Sequence, residues 1–151
     1  MKKFLKTIIL SVSPLFILGS CSSDDEVLDI TKPVITLLSP KDHAHLHLGD
    51  TFTVEAILKD DIELGSGKID IHYSGDGHQH RSINTEWKYS KEIQISSGKK
   101  EEILSHQITI PEEGILDGSY HLGVFLIDKA GNQTQTFIEI DIVNHGNEHD
   151  H

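Results

Sequence analysis

Eleven histidines stand in a chain of 151 residues, and their spacing offers a definite chemistry. His43, His45 and His47 alternate with other residues in Asp42-His43-Ala44-His45-Leu46-His47, and Gly77-His78-Gln79-His80 repeats the spacing. His72 precedes His78 by six positions, and His145, His149 and His151 fall in the last seven. In an extended segment the side chains at i and i+2 project to one side, so two imidazoles so spaced can bind one ion. Histidine-rich tracts are a compositional pointer to metal. Neutral imidazole suits Zn2+ first, and also Cu2+ or Ni2+; with one Cys and one Met in the whole chain, soft sulfur ligation of Cu(I) is disfavoured. The expected ligands are His43, His45, His47, His72, His78, His80 and His121, with His145, His149 and His151 as accessory ligands. Asp42, Asp76 and Asp150 are placed to orient imidazoles or to complete a coordination shell. His106 alternates with Leu104, Ile108 and Ile110 and reads instead as a satisfied inner or edge residue.

A second set of donors consists of oxygen alone: Asp60, Asp61 and Glu63, with Asp128 and Asn132 about a turn. Hard ligands of this kind suit calcium. Turn geometry by itself demands Asp, Gly and Asn, however. The EF-hand spacing is missing, so Ca2+ at Asp60, Asp61, Asp128 and Asn132 is not expected. Enzymatic chemistry has less support still, because the sequence lacks a nucleophile elbow, a phosphate loop and a His-Glu-x-x-His helix. A strand-borne His-x-His with a third His is similar to the three-histidine set of hydrolytic zinc sites. It brings neither a general base nor a substrate cleft, so the expectation is metal capture by a protein that is not an enzyme. Two other classes remain as alternatives: a structural or adhesive surface module, and a carbohydrate-handling accessory. Trp87, three Tyr and five Phe are thin for a sugar platform.

The elements that must position these residues are strands. From Pro33 to Val143 short apolar alternation is broken by Gly, Pro, Asp and Asn, with no sustained helical period. Strands are predicted at Val34–Leu38, Thr51–Lys59, Lys68–Ser74, within Ile83–Ile95, and at Glu101–Ile110, Ser119–Asp128 and Gln133–Val143. About seven strands at this spacing predict a single all-β, Ig-like antiparallel sandwich. Alternation points Ile69, Ile71 and Tyr73 inward and His72 outward; Tyr120 and Leu122 point inward and His121 outward. If Ile83–Ile95 is one strand, direction reverses at each connection, and the histidine segments gather at the end opposite the entry of the chain.

Charge and the N-terminal segment bound the setting. All 24 acidic residues lie beyond residue 20, against ten of the 13 basic ones, a formal charge of −14 after that point. Such a balance repels nucleic acid and anionic headgroups and attracts cations. Met1-Lys2-Lys3-Phe4-Leu5-Lys6, an apolar run and Leu18-Gly19-Ser20-Cys21 resemble the signal and lipobox of bacterial lipoproteins. The resemblance implies removal of residues 1–20, acylation of Cys21 and anchoring to outer-membrane lipid. Ser22-Ser23-Asp24-Asp25-Glu26 resembles the export signal that places lipoproteins on the outer face of that membrane, where an outer-membrane transporter or another surface protein would be the partner. Residues 21–32 then form an acidic tether, 33–143 the sandwich and 144–151 a mobile His-rich tail.

Leu48-Gly49-Asp50-Thr51-Phe52-Thr53-Val54, Asp117-Gly118-Ser119-Tyr120 and Asp128-Lys129-Ala130-Gly131-Asn132 look like strands B, F and the F–G turn of bacterial Ig-like domains. The chain as a whole resembles an uncharacterised family of Ig-like, histidine-bearing outer-membrane lipoproteins. The resemblance implies a sandwich with Tyr120 as a tyrosine corner. It implies no activity.

Overall fold

The computed structural model describes residues 28–75 and 83–144. Cys21, Asp76, His78, His80, His145, His149, Asp150 and His151 lie outside the described residues. Eight strands follow in order: β1 (Val34–Ser39), β2 (Ala44–His47), β3 (Thr51–Lys59), β4 (Leu64–Tyr73), β5 (Lys88–Gln94), β6 (Glu101–Thr109), β7 (Gly118–Asp128) and β8 (Gln133–Val143). Three of them form a sheet in the order β1-β3-β6, and five form a second in the order β2-β8-β7-β4-β5. The expected all-β sandwich is the fold.

Alternation explains why the two sheets face each other. In β3 the buried positions are Phe52, Val54, Ala56 and Leu58, and the residues between them turn outward. Ile69 and Ile71 of β4, Leu104 and Ile108 of β6, Leu122, Val124 and Leu126 of β7, and Ile140 and Ile142 of β8 belong to the same core. Each such side chain contributes about 1.5–3 kcal/mol on burial. Tyr120 is fully buried, and its hydroxyl donates to the Leu116 carbonyl at 2.6 Å. It therefore holds the connection before β7 as a tyrosine corner does.

Three features depart from the simplest reading of the sequence. The connection between β1 and β3 contains a strand of its own, β2, which pairs parallel to β8 with His45 opposite Asp141. Gly65-Ser66-Gly67, which reads as a turn, belongs to β4, and the register shifts at Leu64/Ser66. Glycine is needed there for close approach, since a Cβ on Gly65 would stand 2.7 Å from the Asp128 carbonyl oxygen. The stretch 83–95 holds one strand, but only from Lys88. Thr85 is drawn away to bond Gly114 and Leu116 of the β6–β7 connection.

One strand between β4 and β6 preserves the alternation of direction. Val34 pairs with Lys59 and Leu64 with Asp128, so these ends and the segment entering β1 share one pole. Thr51, Tyr73, Tyr120 and Val143 mark the other. The described histidines 43, 45, 47, 72 and 121 lie toward this second pole.

Candidate metal centre

Strand pairing lays the histidines and carboxylates in rows across the outer face of the five-stranded sheet. His72 of β4 is the register partner of His121 of β7, and His121 is in turn the partner of Glu139 of β8. The two imidazole rings meet edge to face, with centroids 5.5 Å apart and planes at 81°. His72 Nδ1 lies 3.1 Å from Asp70 Oδ2. If that nitrogen carries the proton, Nε2 keeps its lone pair for an ion, the arrangement by which carboxylates orient metal-binding imidazoles. Burial works against the Asp70 carboxylate, but its bonds to Lys68 and His72 outweigh that cost and hold its pKa below the ordinary value.

The β2 segment extends the row at the sheet edge. His43 takes a left-handed backbone conformation, φ 58°, and its amide donates to the Glu139 carbonyl. The Asp42 carboxylate accepts from the Glu139 amide, so the turn clamps the start of β2 onto β8. His43 Nδ1 thereby comes within 3.5 Å of Glu139, the carboxylate opposite His121. His45 Nδ1 stands 3.9 Å from Asp141, which also accepts a bond from the Ser119 hydroxyl. His47 is turned to Asp50 at 3.4 Å. His106 lies apart from this face, its Nε2 2.6 Å from the Tyr89 hydroxyl, as expected of a satisfied residue.

The described histidines thus supply a close pair and two neighbours. The acidic partners Asp70, Glu139 and Asp141 were not foreseen as site residues, although alternation with Ile69, Ile71, Ile138, Ile140 and Ile142 turns them outward. Among the described residues, the only three side chains whose ligand atoms lie within 4.8 Å of one another are Asp29, Asp60 and Asp128, at the opposite pole. Glu63 is committed elsewhere: its Oε1 accepts from the Gly98 amide and the Ser97 hydroxyl, and these bonds hold its pKa below the ordinary value. Asp61 is exposed and stands outside the group. Nearer that pole an open groove of about 620 Å³ runs over Lys68, Gln94, Phe125 and Gln135.

Solved structures resemble the sandwich at low identity. Fibronectin(III)-like modules of CbhA from Clostridium thermocellum are 14% identical, with a TM-score of 0.49, over 81% of this chain and 52% of that one. OgpA from Akkermansia muciniphila is 16% identical, with a TM-score of 0.51, over 76% of this chain and 30% of that one. The chain spans about half or less of either structure. At such identity the likeness to OgpA concerns the fold alone. No curated protein matches the sequence. Residues 19–143 match a domain of unknown function, DUF4625, and the chain belongs to that family.

Proposed function

We propose that this protein binds a divalent transition ion, zinc foremost, on the outer face of its five-stranded sheet, and does so as a lipid-anchored protein of the outer membrane. The observation that carries the reading is the His72–His121 pair, 5.5 Å between ring centres. Two imidazoles bound to one tetrahedral zinc, at about 2.0–2.1 Å per bond, place their centres about 5 Å apart. Asp70 supports the orientation of His72. His78 and His80 follow β4 in sequence and, with His43 and His45, are the proposed source of further ligands. Acylation of Cys21 would hold the domain at the membrane with the histidine pole away from the entering chain, suited to capture and to delivery to an outer-membrane transporter.

Calorimetry of zinc, copper and nickel with the full chain at neutral pH tests the binding. Saturable zinc binding is expected, weakened about tenfold or more in the His72→Ala/His121→Ala protein, since each lost ligand of a site costs at least that order of affinity. Unchanged binding in the double variant would refute the assignment. Mass analysis of the membrane fraction tests the anchor, and an unmodified Cys21 would remove it. The carbohydrate alternative draws support from the groove beside Phe125, where amides and charges flank an aromatic ring. Saturable binding of soluble oligosaccharides abolished by Phe125→Ala would favour it.

A further inference from the structure

We infer that the pole where the chain enters is a calcium site that ties the entering segment to the sandwich. Its ligands are the carboxylates of Asp29, before β1, Asp60, at the start of the β3–β4 turn, and Asp128, at the end of β7. One ligand atom from each lies within 4.8 Å of the other two. Asp128 is only 3% exposed. Among the described residues no ion pair neutralises any of the three.

Hydrogen bonding distinguishes the group from ordinary turn carboxylates. Asp60 Oδ2 accepts from the Ile62 and Glu63 amides at 2.9 and 2.7 Å, which accounts for the turn. Its other oxygen, Oδ1, is buried and has no hydrogen-bond partner among the described residues. An ionised oxygen left so is costly, and neither the turn nor the core requires it. Asp128 Oδ1 accepts from the Gly131 and Asn132 amides, while among the described residues Oδ2 accepts only the Asn132 side chain. The same Asn132 amide group reaches the Asp29 carbonyl at 3.1 Å. Asp29 Oδ1 accepts the Thr31 amide. Each carboxylate therefore keeps lone pairs after its protein bonds are counted.

A cation satisfies the orphaned oxygen and the excess charge together. The donors are oxygen throughout, which suits a hard ion over zinc, and ligands drawn from three separate segments suit the adaptable shell of calcium, with water completing it. The strongly acidic chain raises the local cation concentration. Because Asp29 comes from outside the strands, the ion fixes the angle at which the domain leaves the preceding segment. This site is independent of the histidine face.

Calcium titrated into the full chain in detergent, followed by calorimetry and by thermal unfolding, tests the inference. Saturable binding is expected in the range of about 0.1–1 mM found for extracellular modules, with a melting temperature that rises with calcium. Asp29→Asn keeps the Thr31 contact and should lose about tenfold in affinity or more. Asp60→Asn removes one of three like charges; the calcium-free protein should melt no lower than wild type, and its response to calcium should vanish. His72→Ala/His121→Ala should keep the full calcium response, so failure of the histidine site and failure of this one are told apart. No saturable heat up to about 10 mM calcium, well above that range, would overturn the site. So would a response retained in both aspartate variants or lost with the histidines.

Discussion

Replacing Tyr120 by Phe removes one oxygen atom and tests how the fold places the histidine face. The ring is fully buried, and its hydroxyl donates to the Leu116 carbonyl at 2.6 Å. Phenylalanine keeps the ring's contacts with Tyr73 and Trp87 but leaves the Leu116 carbonyl without that partner. A neutral hydrogen bond contributes about 0.5–1.5 kcal/mol net, and a buried group left unpaired costs about 1–3 kcal/mol. With one buried carbonyl losing its partner, the loss should be about 1–2 kcal/mol, or about 5–10 °C in melting temperature for a domain of this size. The pH profile gives a second signature. Burial pushes the Tyr120 phenol above its usual 10.0. A raised pKa means that the folded state holds the proton where the unfolded chain has begun to release it. The stabilisation is thus complete below the unfolded pKa and is lost as pH rises through the folded one. Urea unfolding from pH 7 to 11 should show an alkaline decline in wild type that is shallower in the variant. A loss under about 0.5 kcal/mol, the level of a neutral surface change, would refute the corner as the anchor of the β6–β7 connection.

Other perturbations separate scaffold from site. Gly65→Ala would press a Cβ to 2.7 Å from a carbonyl oxygen of β7, so a loss of about 1–3 kcal/mol is expected by chemical denaturation. His106→Ala breaks the Tyr89 bond and should cost about 1 kcal/mol while zinc affinity in calorimetry stays unchanged. Asp70→Asn should do the reverse, weakening zinc about tenfold or more with little effect on unfolding, because it removes the carboxylate beside His72. Zinc loaded at neutral pH should leave as the solution is acidified through about pH 6, read by a metal indicator, since protonated imidazole cannot ligate.

Local pattern was enough to identify the faces of the strands. The alternation in Ile69–Tyr73 and Tyr120–Leu126 put His72 and His121 outside and the core residues inside, because side-chain direction in a strand depends only on parity. The corner was implied by the resemblance of Asp117-Gly118-Ser119-Tyr120 to Ig-like domains, and its bond partner lies four residues away. The neighbours of each strand were a different matter. Parity says nothing about which sheet an edge strand joins, so the parallel pairing of β2 with β8, which brings His45 to Asp141, was decided only by the fold. Gly65 and Gly67 looked like a turn because the reason for them, the backbone of β7, is some sixty residues away. The acidic pole shows the same limit: Asp29, Asp60 and Asp128 belong to three segments with no local signature in common. Register over that separation is set by packing two whole sheets, and only the tertiary structure brought the three carboxylates together and left the Asp60 oxygen without a partner among the described residues.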